Sequence, residues 1–558
     1  MSRKPFPMLM LLVTVGLIIA GCATPTPEVI EKVVTQVVKE TVKETVIVEG
    51  TPQIVEKEVT KIVVATPEAS GPKRGGTLYI GQDFGPQHFD PHATTAWASV
   101  NIYEHIYEGL VQWNEDETEL IPKLATSWDI SDDGLVYTFK IRQDVKFHNG
   151  RLMTAEDVKF SLDRMRDPDS GSIVFTNLSR IETVEVLDPE TVQVTLSEPF
   201  ATFITYMTER YAIVPPEAAD ELQTKPVGTG PFMLDEYVLD QHVRLVRNPF
   251  YYEEGLPYLD RVEFKILGDE ASKEAAMRSK SVDMAWFRDP RQAEGLAAAV
   301  PGLISAPGIP SRYILLGLSL CKEPFNDVRV RQALSLAYDR EKLVETVIPS
   351  RYGGSVTGIL APSSPYFWQG DPMDLPNYRR DVEKAKQLLA EAGYPDGLTI
   401  DDYKVVAANQ LDVDGAQVLK EQWAEAGINV TIVPMEVGAI LEDYRTGNGV
   451  MIQMGFTWAA DPDVRLYSSW HSSQTFAQGY CRNDPELDEL LDRGRVTTDP
   501  DERMDIYQKV QERIADQAYA IPNYGYPLRW EMWWDYVKGY HSVPSNSRWA
   551  LRTTWLDK

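Results

Sequence analysis

Apolar residues along this chain switch repeatedly between two periods, and that alternation constrains the fold more than any other feature. Tyr137, Phe139 and Ile141 alternate with polar neighbours, as do Val192, Val194 and Leu196, and again Val262, Phe264 and Ile266. Period 2 is the mark of half-buried strands, and Thr77–Ile80 reads as the first of them. Helical spacing fills the gaps. Thr154-Ala155-Glu156-Asp157 has the hydroxyl-x-x-acid form of a helix start, with Val158, Leu162 and Met165 on one face behind it. Val330, Ala333, Leu334, Ala337 and Tyr338 make a second stripe. Asp381 is an N-cap ahead of Leu388 and Leu389, with Gly393 at C′. Val418, Leu419 and Trp423 lead to Gly427 and a strand from Ile428 to Ile432. Strands and helices alternating without a short repeat predict an α/β fold. At 558 residues the chain needs two or more lobes, because single cores rarely grow beyond about 250–300 residues. These stripes are core and carry no chemistry.

Charge excludes one class of function. The formal net charge is −28, whereas phosphate recognition needs a clustered basic face, so nucleic-acid binding is disfavoured. Such a surface is soluble and self-repelling, which suits a monomer. No His-Glu-x-x-His, Gly-x-Ser-x-Gly or Cys-x-x-Cys occurs, so the common metal, serine and redox patterns of an extracellular hydrolase are missing. His88 and His92 are four apart, but Pro91 between them prevents one helical face from presenting both. His148, beside Asn149-Gly150, reads as a structural turn residue. No cofactor or metal is implied.

The N-terminus sets the compartment. Arg3 and Lys4 precede an apolar run from Met8 to Ala20, too short for a comfortable span and suited to a signal-peptide core. It ends Ile18-Ile19-Ala20-Gly21-Cys22, which resembles a bacterial lipobox whose cysteine receives lipid. Residues 1–21 are then a signal peptide, and Cys22 anchors the protein to the outer face of the cell membrane. Residues 22–72 follow as a stalk. After Cys22 they hold eight glutamates, five lysines and no aromatic residue, so they bury little area and are expected to be mobile. Valines recurring about every fourth residue would make a helical seam only if chains paired.

A recognisable block begins at Leu124-Ala125-Thr126-Ser127-Trp128. It continues through Tyr137-Thr138-Phe139-Lys140-Ile141-Arg142 and Asp144-Val145-Lys146-Phe147-His148-Asn149-Gly150 to Leu162-Asp163-Arg164. In order come Asp90-Pro91-His92, Gly228-Thr229-Gly230-Pro231-Phe232, Arg247-Asn248-Pro249-Phe250-Tyr251-Tyr252, Pro324-Phe325-Asn326-Asp327-Val328-Arg329 and Ala390-Glu391-Ala392-Gly393-Tyr394. This set closely resembles the family 5 extracellular solute-binding proteins, which serve ABC importers. The resemblance implies a two-lobed, type II periplasmic-binding-protein-like α/β fold with an extra subdomain on lobe I. Lobe I would take 73–112, 225–316 and 521–558, its subdomain 113–224, and lobe II 317–520. The chain would cross between lobes near Leu315–Leu320 and Ala520–Tyr524. Function would be capture of a small solute, peptide by preference, and its delivery to ABC permease subunits. A sensor lipoprotein feeding a receptor would use the same fold.

Site residues follow from the resemblance. Asp461, in Trp458-Ala459-Ala460-Asp461-Pro462, matches an aspartate that pairs with a peptide α-ammonium in peptide-binding relatives. Asp461→Ala is then expected to abolish binding while leaving the thermal transition nearly intact. Alternatively, Asp461 and Asp463 are turn residues around Pro462. Thirteen tryptophans leave an oligosaccharide as the rival solute, with Trp97, Trp286, Trp368, Trp458 and Trp470 as candidate cleft residues. His471, beside Trp470, reads as a surface residue. Cys321 and Cys481 remain once Cys22 is lipidated, and an oxidising compartment permits a disulfide between them.

Overall fold

The computed structural model describes residues 34–48, 51–65, 71–208, 211–457, 459, 461–543 and 549–558. The signal segment, Cys22 and Trp458 lie outside them. The chain divides into two compact units, Met1–Gly71 and Pro72–Lys558.

Within the first unit, Val34–Val48 and Thr51–Ala65 pair antiparallel along their whole length, from Val34 opposite Ala65 to Val48 opposite Thr51. The sequence reading expects a mobile stalk over residues 22–72 and does not foresee these paired strands. The segment is dominated by Val, Ile and Thr, whose branched Cβ favours extended backbone.

The second unit is built on three principal sheets. Seven strands form the first, in the order 232–238, 242–247, 261–266, 77–82, 284–287, 530–534 and 303–307. Leu78 and Ile80 face Val262, Phe264 and the buried segment Ile102, Tyr103 and Ile106. Five strands form the second, in the order 428–435, 398–406, 451–457, 310–318 and 520–527. The third has four strands, all between residues 125 and 196, with its own core of Tyr137, Phe139, Val158, Leu162 and Val194.

The local signals act as physics requires. Thr154 and Asp157 form a capping box at the helix Ala155–Arg166, the Thr154 N–H donating to Asp157 Oδ2 at 2.8 Å. The Asp381 carboxylate accepts from the Lys384 N–H at the start of Val382–Glu391. Gly228 and Gly230 are needed for close approach: a Cβ there would lie 2.1 Å from the Ile106 carbonyl oxygen and 2.5 Å from that of His105. Cys321 and Cys481 form a disulfide, their Cα atoms 5.3 Å apart.

The lobe crossings differ from the sequence-based positions. Pro310–Leu318 and Ala520–Pro527 lie side by side inside the five-stranded sheet, while Leu303–Pro307 and Trp530–Trp534 pair inside the seven-stranded one. The chain therefore passes between sheets at Gly308-Ile309 and at Leu528-Arg529. The Gly308 N–H donates to the Arg529 carbonyl at 3.1 Å, tying the two crossings together. Leu315–Leu318 and Ala520–Tyr524 are apolar because they are buried strand residues of one lobe, not because they join two.

Candidate functional site

Between these sheets lies a cavity of about 1260 Å³, lined by all three parts of the second unit. From the seven-stranded side come Trp97, Asn101 and Trp286. The segment Ala201–Met207, which follows the four-stranded sheet, supplies Thr205 and Tyr206. The five-stranded lobe supplies Arg312, the strand Met451–Thr457 and the helix Val437–Thr446. On that helix Val437 and Leu441, one turn apart, are half exposed at 51% and 49%, and both face the cavity beside Ile440 and Met454. Large apolar side chains left open on one helix face are the kind of surface that waits for a partner.

Trp97 and Trp286 meet edge to face, ring centroids 5.4 Å apart, on the cavity wall. The Arg529 guanidinium lies over both rings, 4.1 Å from the Trp286 centroid, and Lys273 Nζ stands 4.5 Å from that same centroid. These cations already use the indole faces. Two other tryptophans are elsewhere. Trp470 is 4% exposed and packs with Leu466, Leu487 and Leu491, the Arg482 guanidinium 4.2 Å from its ring. Trp368 packs against Leu375, Tyr378 and Ala515. Both are packing residues, which corrects their assignment to the cleft, and their indoles meet the demands of a helix-covered core instead.

Asp461 reaches the cavity edge, but its carboxylate is engaged. It accepts from Arg503 at 2.6 and 2.7 Å, from Thr202 Oγ1 at 3.1 Å and from the Asp463 N–H at 2.9 Å, which makes it the N-cap of Pro462–Trp470. At 3% exposure and with four hydrogen bonds already made, the carboxylate presents little surface to an incoming ammonium. The turn reading of this residue is the one the geometry favours. Asp463 is likewise paired, with Arg495 at 3.0 and 3.1 Å. Burial pushes the Asp463 carboxyl up, and Arg495 opposes that push.

Sequence reading missed the cleft arginines. Arg288 pairs with Asp83 at 2.8 Å, Arg529 covers the indoles, and Arg465 stands 5.6 Å from the Phe456 ring. Arg312 opens the strand Pro310–Leu318 and lies across Gly455, where a Cβ would come 2.4 Å from its Nη2. An isolated glycine inside the strand Met451–Thr457 was the available signal, since such a glycine marks close approach by another group. His92 and His148 are not ligands for a metal. His92 holds the Ala212 carbonyl at 2.9 Å and Arg164 at 2.7 Å, and His148 holds the Gly230 carbonyl at 3.0 Å. His471 stacks on Tyr467, ring centroids 4.4 Å apart. Among the described residues no cluster of three or more His, Cys, Asp or Glu could hold a metal, and no helix is long and apolar enough to cross a membrane.

Comparison with known proteins agrees with this architecture. Heme-binding protein A of Haemophilus influenzae is 31% identical over 475 residues, covering 78% of this chain and 85% of that protein. The dipeptide-binding protein of Escherichia coli is 29% identical over 477 residues, covering 79% and 86%. The periplasmic binding protein DppA of Helicobacter pylori, solved in complex with the peptide STSA, superimposes with a TM-score of 0.70 at 28% identity, over 87% of this chain and 99% of that one. Residues 119–477, well over half the chain, match the bacterial extracellular solute-binding proteins, family 5 Middle. This two-lobed α/β chain, a binder of solutes and not an enzyme, belongs to the family 5 bacterial extracellular solute-binding proteins.

Proposed function

We propose that this protein captures peptides in its interlobe cavity and delivers them to the permease of an ABC importer, held at the outer face of the membrane by lipid on Cys22. The observation that carries the reading is the cavity itself. At about 1260 Å³ it exceeds the roughly 300–1,000 Å³ of ordinary small-molecule pockets, which leaves room for several residues of an extended chain. Its lining is also mixed in character: Val437, Ile440, Leu441 and Met454 are apolar, whereas Asn101, Asn409 and the arginines offer polar partners. A peptide presents the same mixture of apolar side chains and polar backbone groups. Two relatives, a dipeptide-binding protein and a binding protein in complex with the peptide STSA, support the reading. An oligosaccharide finds less here, because the paired indoles that would stack on sugar faces already carry Arg529.

Calorimetric titration of the purified protein with peptides of two to five residues, oligosaccharides and heme tests this directly. Peptide binding is the expected result, accompanied by a thermal midpoint that climbs with free peptide concentration. Binding of sugar or heme with no peptide binding would replace it. For the anchor, Cys22→Ala is expected to release the protein from the membrane fraction, and retention there would reject lipidation at this cysteine.

A further inference from the structure

Arg312 stands out among the cavity's cations. Its side chain is 23% exposed, its Nε is buried without a hydrogen-bond partner, and none of its nitrogens makes a hydrogen bond among the described residues. Guanidinium groups normally donate several bonds in a fixed fork, so one that donates none, at the wall of a large cavity, has unused capacity for an anion. Behind it sits Asp412, in the first turn of the helix Gln410–Ala424. Asp412 is fully buried, neither carboxylate oxygen has a hydrogen-bond partner, and Arg312 Nη2 is 3.9 Å from Oδ2. That separation is too long for a hydrogen bond yet short for two charges. The other polar groups acting on the carboxyl are Tyr403 from one strand, Tyr524 and Tyr526 from another, and Asn409 from the helix start. Arg312 is its one cationic neighbour among these.

Resting on the peptide reading above, we infer that Arg312 is the anchor for an anionic group of the solute, a peptide carboxylate, and that Asp412 regulates it by gaining or losing a proton. When Asp412 is ionised it shares the guanidinium charge and the site is nearly neutral. When Asp412 is protonated the full positive charge faces the cavity. Burial pushes the Asp412 carboxyl up to about 6, against Arg312 and Asn409, so the exchange falls within reach of ordinary external pH. An anion docked on Arg312 raises it further, so binding takes up protons. Arg465 is the rival anchor. Its Nε is also buried without a partner, and its guanidinium stands 5.6 Å from the Phe456 ring much as that of Arg312 stands 5.8 Å from the Tyr526 ring; what sets Arg312 apart among the described residues is the buried carboxylate beside it.

The test is calorimetric titration of the full protein with one peptide as its free acid and as its C-terminal amide, between pH 5 and 7, where the peptide's own carboxylate and ammonium keep their charges. Wild type is expected to prefer the acid, more strongly at pH 5 than at pH 7, and to take up protons on binding near pH 6. Arg312→Gln is expected to lower acid affinity by roughly 10- to 100-fold and to leave amide affinity unchanged, the range for a charge-assisted hydrogen bond. Asp412→Asn is expected to keep the acid preference and abolish its pH dependence and the proton uptake. Equal affinity for acid and amide, or loss of the preference in Arg465→Gln and not in Arg312→Gln, would overturn the anchor while leaving the peptide reading standing. Failure of both peptide forms to bind wild type would overturn the peptide reading, and the anchor with it.

Discussion

Asp461 shows how one residue type in a suggestive motif can serve a different end. A carboxylate beside Pro462 at a helix start is an efficient N-cap, and the same two oxygens also hold Arg503 in a two-pronged pair. Removing it leaves the Arg503 guanidinium buried and uncompensated. Asp461→Ala is therefore expected to destabilise the fold by about 3–5 kcal/mol, read as a lowered urea midpoint, which reverses the sequence-based expectation of an intact transition. An unchanged midpoint would return Asp461 to the binding role. Histidines supply a second prediction at this scale. Burial holds His92 and His148 down at about 4, so between roughly pH 4 and 6.5 the unfolded chain binds protons at both that the folded chain does not. Their contribution is complete above the ordinary histidine value and is lost as pH falls toward 4. Asp412 acts oppositely between 3.8 and about 6, because the folded chain keeps its proton longer. Asp463, also pushed up by burial, acts with Asp412, so the imidazole contribution is read as a difference: the urea midpoint is expected to climb less from pH 4.5 to 6.5 in His148→Gln than in wild type.

At the scale of elements, most of the strands and helices were legible because their periods are set by burial on one face. Strands at 136–141, 191–196 and 261–266 and helices at 155–166, 382–391 and 410–424 all carry the stripe that reveals them. What escaped were features that periodicity does not encode. The crossings at Gly308-Ile309 and Leu528-Arg529 sit between two apolar strands each, and hydropathy is the same on either side of them. Val437 and Leu441 look like any core stripe, and only the tertiary fold leaves them uncovered. Arg312 and Asp412 are separated by a hundred residues and meet only because the helix after Val406 returns its first turn to the strand at 310–318. The disulfide belongs to this scale as well. It joins the end of that strand to the segment after the helix Thr475–Gly479 and closes a loop with a sequence separation of 160. Reduction is expected to lower stability by about 2–5 kcal/mol, and thiol titration of unfolded, unreduced protein should find neither Cys321 nor Cys481 reactive.

Within the second unit, Thr202 and Phe200 of the four-stranded subdomain touch the five-stranded lobe, and the Arg503 guanidinium also donates to Thr202 Oγ1 at 3.3 Å. Thr202 Oγ1 donates to Asp461, and the Arg495 guanidinium stands 5.4 Å from the Phe200 ring. Separation of these parts must break the Thr202 contact, while the Asp461–Arg503 pair stays within one lobe. Thr202→Val is thus expected to enlarge the radius of gyration of the ligand-free protein in small-angle scattering with little change in thermal midpoint. An unchanged radius would show that the contact does not restrain opening.

The position of Arg529 carries one more consequence. This residue belongs to the two-residue passage between sheets, and its guanidinium covers the indoles of Trp97 and Trp286. Any rotation of one sheet against the other shifts a cation relative to two fluorophores. The protein thereby contains its own optical gauge: if solute rotates the sheets, the colour and intensity of tryptophan emission are expected to change without an added dye, and Arg529→Met is expected to silence most of that signal, whereas an equal signal in Arg529→Met would show that the change comes from elsewhere.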